Sequence, residues 1–133
     1  MPVFSKLSQM RLETCHPDIQ RVMNRAILEY DFSIICGLRN EADQLVAFNK
    51  GNSKVKYPNS RHNRSKIEGD LWDYNVSDAV DVAPYPINWN KPERFKDLAK
   101  VVLRIAKEEG VKLTWGGAWK TLVDLPHFEI RRD

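Results

Sequence analysis

The chain has 133 residues, of which 42% are hydrophobic and 29% are charged, and its formal net charge at pH 7 is +3. This composition predicts a single globular domain over residues 1–133 and excludes a disordered or fibrous chain, while the small charge gives no sign of nucleic-acid binding. Its two cysteines, Cys15 and Cys36, are too few for a disulfide scaffold or a cysteine-rich zinc module. A metal site would therefore have to use histidines and carboxylates.

The first half of the chain has the periodicity of short helices and one buried strand. Apolar residues predict an amphipathic helix over 17–30, a strand over 32–36 and a short helix over 41–48. From Gln44 to Ile67 the chain carries six basic residues and no acidic one. A solvated loop is the simplest interpretation of this basic stretch.

Residues 78–83 alternate in the manner of a strand with one buried face. Val80 and Val82 would face a core, and Asp81 would lie on the other face between two alanines. The small methyl groups on either side leave room for a ligand to approach the Asp81 carboxylate.

The remaining elements are a long helix and two short strands. The helix is predicted over 93–109, and the strands over 111–115 and 127–130, with a tight turn at Gly116 and Gly117. This mixture of helices and short strands favours an α+β domain, with an antiparallel sheet and flanking helices.

Two histidines have neighbours that suit metal chemistry. Asp124 precedes His127 by three residues, and Pro126 stiffens the link, so we expect this carboxylate near the imidazole. With His62 and Asp81, His127 would complete a three-ligand zinc site whose fourth position is open to water. Asp124 would then accept the proton of that water and pass it to a leaving amine. These are the parts of a metal-dependent amide hydrolase, without the compact HExxH motif.

Four separate segments of the chain carry the motifs of a known family. They are Ser60-x-His62, the run from Ser77 to Pro86, Trp115-Gly116-Gly117-x-Trp119-Lys120 and Asp124-x-Pro126-His127-Phe128-Glu129. In this order they resemble the LAS zinc metallopeptidases, and in particular the bacteriophage endolysins of the L-alanyl-D-glutamate peptidase type. The resemblance runs from about residue 32 to residue 130. It implies a small LAS/Hedgehog-type domain with a zinc cleft.

The resemblance also implies individual roles for the residues that match these motifs. His62, Asp81 and His127 would bind Zn2+, and Asp124 would be the general base. Arg39, in a matching segment, would support a substrate carboxylate or the polarised carbonyl, which its fixed charge and forked guanidinium suit.

Two tryptophans lie in the matched Gly-Gly segment. Trp115 and Trp119 correspond to a motif that walls the substrate cleft in the family. Aromatic packing that orients the last strand explains both residues equally well, so both roles stay open.

One segment departs from the family pattern. Residues 64–76 intervene between His62 and Asp81, which lie only several residues apart in the relatives. We expect an insertion loop here that acts as a lid or a specificity loop, since loop insertions cost little stability. It would bring these side chains near the site: Glu68, Asp70, Trp72, Asp73 and Tyr74. The insertion also leaves Asp73 and Asp78 as alternatives to Asp81, which the strand alternation favours.

The third histidine and the two cysteines are predicted to be structural. His16 directly precedes Pro17 and suits the start of a helix. Cys15 and Cys36 fall outside the metal-binding motifs and are expected to be small buried residues.

Together these features predict a zinc-dependent peptidoglycan endopeptidase, namely a phage endolysin that cleaves an amide bond of the stem peptide, with L-Ala–D-Glu as the expected bond. A D-Ala-D-Ala carboxypeptidase or dipeptidase with the same zinc site is the first alternative. A non-catalytic module that binds the wall or nucleic acid through the basic stretch is the second and less favoured one.

The expected partners follow from the same prediction. The substrate would be the bacterial stem peptide, without nucleic acid, without stable membrane insertion and without a separate cell-wall-binding domain. No secretory signal and no apolar run of roughly 20 residues is present. We expect a monomer that stays in the host cytoplasm until a holin releases it to the periplasm and cell wall.

Overall fold

A computed structural model describes residues 2–69 and 71–132. Within these ranges the chain forms four α-helices, six β-strands and one short 3-10 helix, which together make an α+β domain. The helices are α1 (Lys6–Leu12), α2 (Pro17–Ala26), α3 (Glu41–Asn49) and α4 (Pro92–Glu108), and the 3-10 helix is Gly116–Ala118. The strands are β1 (Phe32–Cys36), β2 (Ser65–Glu68), β3 (Leu71–Asp73), β4 (Ala79–Pro84), β5 (Leu113–Trp115) and β6 (His127–Ile130).

The main sheet has four strands in the order β1-β4-β6-β5, and all its neighbours are antiparallel. Its register pairs Asp81 on β4 with His127 on β6 and with Cys36 on β1. Directly paired residues point to the same face of a sheet. The register therefore brings together side chains that are 46 residues apart in the sequence.

The other face of this sheet builds the core. Val80 and Val82 on β4 are buried there, together with Phe128 and Ile130 on β6. Helix α4 packs against α2 and against β4 and β5, while α1 packs on β1. Burying an apolar side chain of this size stabilises the fold by about 1.5–3 kcal/mol. The alternation predicted for β4 is confirmed, and β6 alternates in the same way, which leaves the second face of both strands free for polar groups.

One predicted helix differs from the structure by more than one residue at an end. The helix predicted over 17–30 ends at Ala26, because the next residues tighten into turns such as Glu29 N–H to the Ala26 carbonyl. Tyr30 can then lead the chain into β1. Helix α1 was not predicted, although the Ser5 hydroxyl, which accepts from Ser8 N–H at 3.1 Å, is an ordinary capping signal.

Residues 64–76, expected as a loop, contain an antiparallel hairpin of β2 and β3. The Arg64 guanidinium lies 3.8 Å from the ring centre of Trp72, and the Tyr74 ring lies 6.3 Å from that of Tyr57. The cation–π contact stabilises the hairpin itself, whereas the aromatic contact with Tyr57 joins it to the rest of the domain. Asp70 and the side chain of Glu68, which were expected near the site, lie outside the described residues.

No helix in the described parts of the chain is long and apolar enough to span a membrane.

Candidate metal centre and active site

Of the three residues predicted as metal ligands, His62 and His127 each contact the Asp81 carboxylate. His62 Nε2 lies 3.4 Å from Asp81 Oδ1, and His127 Nδ1 lies 3.0 Å from the same oxygen. The two imidazole rings are 5.1 Å apart between their centres. The Asp81 carboxylate thus lies between two histidines that come from a loop and from β6.

His62 turns a ring nitrogen without a hydrogen-bond partner among the described residues toward the Asp81 carboxylate. Its Nδ1 lies 2.8 Å from the Gly37 carbonyl oxygen, which can only accept a hydrogen bond, so Nδ1 carries the proton in the neutral ring. Its Nε2 is buried and makes no hydrogen bond within the described residues. A buried nitrogen with a free lone pair beside a carboxylate fits a metal ligand whose other nitrogen is held in place.

In His127 the two ring nitrogens have exchanged the roles that they have in His62. Its Nε2 lies 2.8 Å from Glu129 Oε1, and its Nδ1 faces Asp81. Each ring therefore has one nitrogen against a hydrogen-bond acceptor, the Gly37 carbonyl for His62 and the Glu129 carboxylate for His127. The other nitrogen of each ring faces the Asp81 carboxylate.

Two groups of potential ligand atoms overlap here. Cys36, His62 and Asp81 form one group, and Asp81, Asp124 and His127 form the other, with all atoms of each group within 4.8 Å of one another. Asp81 belongs to both groups. Imidazole nitrogens combined with a carboxylate oxygen are a donor set that suits zinc, so the residues fit a metal ion.

Asp124 lies beside Asp81 and His127, on the segment that leads into β6. Its Oδ2 is 4.0 Å from His127 Nδ1, and its backbone N–H donates to the Gly116 carbonyl at 3.0 Å. Burial raises the pKa of Asp124, and the neighbouring Asp81 carboxylate raises it further. A carboxylate with a raised pKa is a better proton acceptor near neutral pH, as a general base requires.

Arg39 faces the same carboxylate from the β1 side. Its Nη2 lies 3.6 Å from Asp81 Oδ2, and its Nη1 donates to Gln44 Oε1 at 3.0 Å. The side chain is only 14% exposed. The buried Gln44 amide therefore orients the guanidinium toward the cleft, where Arg39 was predicted to act.

Cys36 was expected to be a buried residue outside the site, and this expectation is wrong. Its side chain is half-buried, and its Sγ lies 3.8 Å from His62 Nδ1 and 3.3 Å from Arg39 Nε. Burial raises the pKa of the Cys36 thiol, but the hydrogen bond with His62 and the charges of His62 and Arg39 outweigh it and lower the pKa. Only the pairing of Cys36 with Asp81 could have indicated this position, and register is not readable from β1 alone.

A cleft of about 620 Å³ opens above the cluster. Its lining includes parts of the basic stretch, so that stretch is more than a solvated loop. The lining residues are Arg39, Gly51, Asn52, Ser53, Lys54, Val55, Asn59, Ser60, Arg61, His62, Trp119, Leu122, Val123, Asp124, His127 and Glu129. Lys54 and Arg61 therefore bring positive charge to the cleft lining.

The structure separates the two tryptophans that the sequence could not distinguish. Trp119 lines the cleft, and its ring centre is 5.3 Å from that of His127. Trp115 packs against the core, and its Nε1 donates to the Leu125 carbonyl at 2.7 Å. A side chain at Gly117 would overlap the Trp115 indole, which explains the glycine there. Trp115 thus supports the segment that carries Asp124.

The alternative ligands lie elsewhere. Asp78 is buried and accepts from Ser65 Oγ at 2.6 Å and from Arg132 Nη2 at 2.8 Å, while Asp73 accepts from the Asn75 N–H at 2.8 Å. Neither belongs to the two groups of potential ligand atoms found among the described residues.

Two further expectations concern the insertion and the third histidine. None of the described residues between 64 and 76 lines the cleft, so the hairpin does not form the expected lid in this structure. His16 caps α2, with its Nδ1 accepting from Asp18 N–H at 2.9 Å, which confirms its structural role.

The metal-free protein should lose stability as the pH rises above neutrality. Burial lowers the pKa of His62, but the Asp81 carboxylate outweighs it and raises the pKa to about 10. For Asp81, burial raises the pKa, but His62 and His127 outweigh it and hold the pKa well below its usual range. The His62–Asp81 pair therefore stabilises the folded protein fully between about pH 4 and 6.5, which are the pKa values of the two groups in the unfolded chain. This stabilisation is lost as the pH rises toward 10 or falls below about 4.

Urea unfolding of the chelator-treated protein between pH 5 and pH 9 measures this effect. The Asp81→Asn variant serves as the control and should give a flatter profile. A free energy of unfolding that rises through this interval would contradict the prediction. Zinc affinity should change in the opposite direction, increasing with pH, because a metal ion competes with protons for the imidazoles.

Replacing Gly37 with alanine should destabilise the fold and weaken metal binding together. An added Cβ would lie 2.5 Å from the Arg11 carbonyl oxygen and closer still to the Thr14 hydroxyl. Overpacking of this kind costs about 1–3 kcal/mol, and here it also displaces the carbonyl that holds His62. Denaturant unfolding and zinc titration measure the two effects.

Gly110→Ala is the matched control for this variant. Gly110 has a positive φ of 71° and open space around its Cα, so alanine there should cost stability without changing zinc affinity. Equal zinc affinity in both variants would show that the Gly37 carbonyl does not orient His62.

Comparisons with known proteins identify the family of this chain. The family model for phage L-alanyl-D-glutamate peptidases matches residues 2–133. The chain is 36% identical to the L-alanyl-D-glutamate peptidase of Escherichia phage T5 over 135 residues, which cover 97% of this chain and 89% of that relative. It superposes on the crystal structure of the Serratia marcescens L-Ala D-Glu endopeptidase ChiX with a TM-score of 0.77 and 32% identity, covering 97% of this chain and 90% of that one. These matches confirm the resemblance and the fold class: the chain belongs to the phage L-alanyl-D-glutamate peptidase family.

Proposed function

We propose that this peptidase hydrolyses the L-Ala–D-Glu bond of peptidoglycan stem peptides, with a zinc ion held by His62, Asp81 and His127. The observation that carries the proposal is the meeting of two imidazole nitrogens at one carboxylate, with Asp124 beside them. Membership of a peptidase family supports it and disfavours the alternative of a non-catalytic binding module.

The metal and the chain would have separate tasks. When bound, zinc supplies the Lewis acidity that polarises a carbonyl and lowers the pKa of water to about 7. Asp124 accepts a proton from the attacking water and donates it to the amine that leaves as the C–N bond breaks. Its half-exposed position, with 43% of the side chain accessible, lets it reach a substrate in the cleft.

Side chains that line the cleft would position the substrate. Arg39 offers a fixed cation next to Asp81, suited to a carboxylate or to the oxygen of the scissile carbonyl. Lys54 and Arg61 add positive charge along the same cleft, and Trp119 adds an apolar wall beside His127. This combination suits a peptide that carries free carboxylates, as stem peptides do.

Mass spectrometry of digested peptidoglycan tests the proposal. Purified wall fragments should yield products cut between L-Ala and D-Glu, a chelator should stop the cleavage, and added zinc should restore it. Release of terminal D-Ala instead would favour the carboxypeptidase alternative. No cleavage by zinc-loaded protein would overturn the proposal. His16→Asn, which keeps a capping side chain outside the site, serves as the control variant.

We also infer that the enzyme acts as a monomer and is held in the host cytoplasm until a holin opens a path to the wall. The prediction is supported by a site assembled within one chain. Light scattering of the purified protein, and lysis assays in cells with and without a holin, test the two parts separately.

A further inference from the structure

We propose that Glu129, held by Arg61, is a positioning residue that keeps the Nδ1 of His127 free and directed at the metal centre. This inference rests on the proposed function of the same site. It gives a role to two residues beyond the three ligands, Asp124 and Arg39, and that role is to orient one of the ligands.

The strand geometry brings Glu129 to its partner. Glu129 follows His127 by two residues on β6, so both side chains point to the same face of the sheet. Its neighbours across the sheet are the small residues Ala79 on β4 and Thr114 on β5. Since neither neighbour fills the space, the Glu129 carboxylate can lean along the strand, and its Oε1 reaches 2.8 Å from His127 Nε2.

A carboxylate at this position selects one form of the imidazole. An ionised carboxylate only accepts hydrogen bonds, so the contact requires the proton of the neutral ring to be on Nε2. The lone pair then lies on Nδ1, the atom 3.0 Å from Asp81. Carboxylate partners of this kind fix the tautomer and ring orientation of metal-binding histidines, and their loss typically reduces metal affinity about 10- to 100-fold.

Arg61 holds the second oxygen of the same carboxylate. Its Nε lies 3.7 Å from Glu129 Oε2, and its backbone carbonyl accepts from the Asp78 N–H at 3.1 Å. Arg61 also directly precedes His62 in the chain. One loop therefore supplies both the proposed ligand His62 and the Arg61 cation that pairs with Glu129. The surroundings of His62 and His127 are linked in this way.

The contributions of the two residues should differ in size. Glu129 is only 20% exposed and contacts the ligand itself, whereas Arg61 is 39% exposed and acts through Glu129. Ion pairs that are open to solvent contribute little. We expect Arg61→Met to reduce zinc affinity less than Glu129→Ala does.

Zinc titration against a chromophoric chelator tests the inference on the full chain. Glu129→Ala should bind zinc about 10- to 100-fold more weakly than the parent, with unchanged circular dichroism, and excess zinc should restore most of its activity. The control is Glu13→Ala, an exposed glutamate outside the cleft lining, which should match the parent. A change of less than threefold in a folded Glu129→Ala protein overturns the inference.

A second measurement reads the proton directly. In 1H–15N NMR spectra of the zinc-loaded parent, the Nε2 proton of His127 should be protected from exchange with solvent, and Glu129→Ala should lose this protection. If Glu129→Ala does not fold, Glu129→Gln replaces it in both measurements and should weaken zinc binding by at least threefold. Parent-like protection or affinity in the folded variant overturns the inference.

The outcomes separate this inference from the proposed function. A parent that binds no zinc would overturn the proposed function, and the inference with it. A parent and a folded Glu129 variant that bind zinc equally well would overturn the inference alone.

Discussion

Replacing Asp81 with asparagine is expected to reduce peptidase activity to background and to weaken zinc binding by at least about a hundredfold, more than the loss of an outer partner causes. Asp81 belongs to both groups of potential ligand atoms and contacts both histidines. An asparagine keeps the shape but removes the charge, so two imidazoles remain without the carboxylate between them. Chelator competition and a wall-clearing assay measure the two effects.

The matched control for this variant is Asp73→Asn. Asp73 was an alternative ligand from sequence, but its carboxylate accepts a local hydrogen bond from Asn75 N–H. Its substitution should leave zinc affinity and activity at parental values. Retention of tight zinc binding by Asp81→Asn, or its loss in Asp73→Asn, would exclude Asp81 as the central ligand.

Asp124→Asn should separate catalysis from metal binding. We expect a fall of about 100- to 10,000-fold in kcat/KM, because an amide cannot take up the proton of the attacking water. Zinc affinity should stay within a few-fold of the parent, since the three proposed ligands are unchanged. Steady-state kinetics on a soluble stem-peptide fragment, together with zinc titration, measure both quantities.

The pH profile provides a sharper test of this role. Burial and the charge of Asp81 raise the pKa of Asp124, so parental activity should decline as the pH falls through that raised value and the carboxylate becomes protonated. This acidic decline should disappear from the residual activity of Asp124→Asn. Asp124→Glu, which restores a carboxylate, should recover part of the rate. An unchanged acidic limb in Asp124→Asn would assign the proton transfer to another group.

Local patterns in the sequence were enough to predict the strands that carry the chemistry. The alternation around Val80 and Val82 predicted a buried face for β4 and left Asp81 on the other face, as the structure shows. A strand was likewise predicted over 127–130, and in the structure it buries Phe128 in the core and turns His127 to the other face. These predictions succeed because burial of one face of a strand dictates its side-chain alternation.

Contacts that depend on register or on side-chain direction could not be predicted in this way. Cys36 lies beside the site because β1 pairs with β4 across a bulge, and a short strand shows no register in its sequence. The hairpin in residues 64–76 was expected only as a loop, although its two strands are separated by Gly69 and Asp70, a pair typical of a hairpin turn. The roles of Trp115 and Trp119 separate only once the core and the cleft are both defined.

The pairing of β4 with β6 has a consequence for when activity can arise during synthesis. Asp81 faces His127 only through this pairing, and the segment ahead of β6 also carries Asp124. A nascent or proteolysed chain that stops before residue 127 would hold His62 and Asp81 without the third proposed ligand. Because a ribosome delivers residues in order, the proposed catalytic centre can assemble only after β6 has been translated. The enzyme would therefore be inert until β6 has paired with β4.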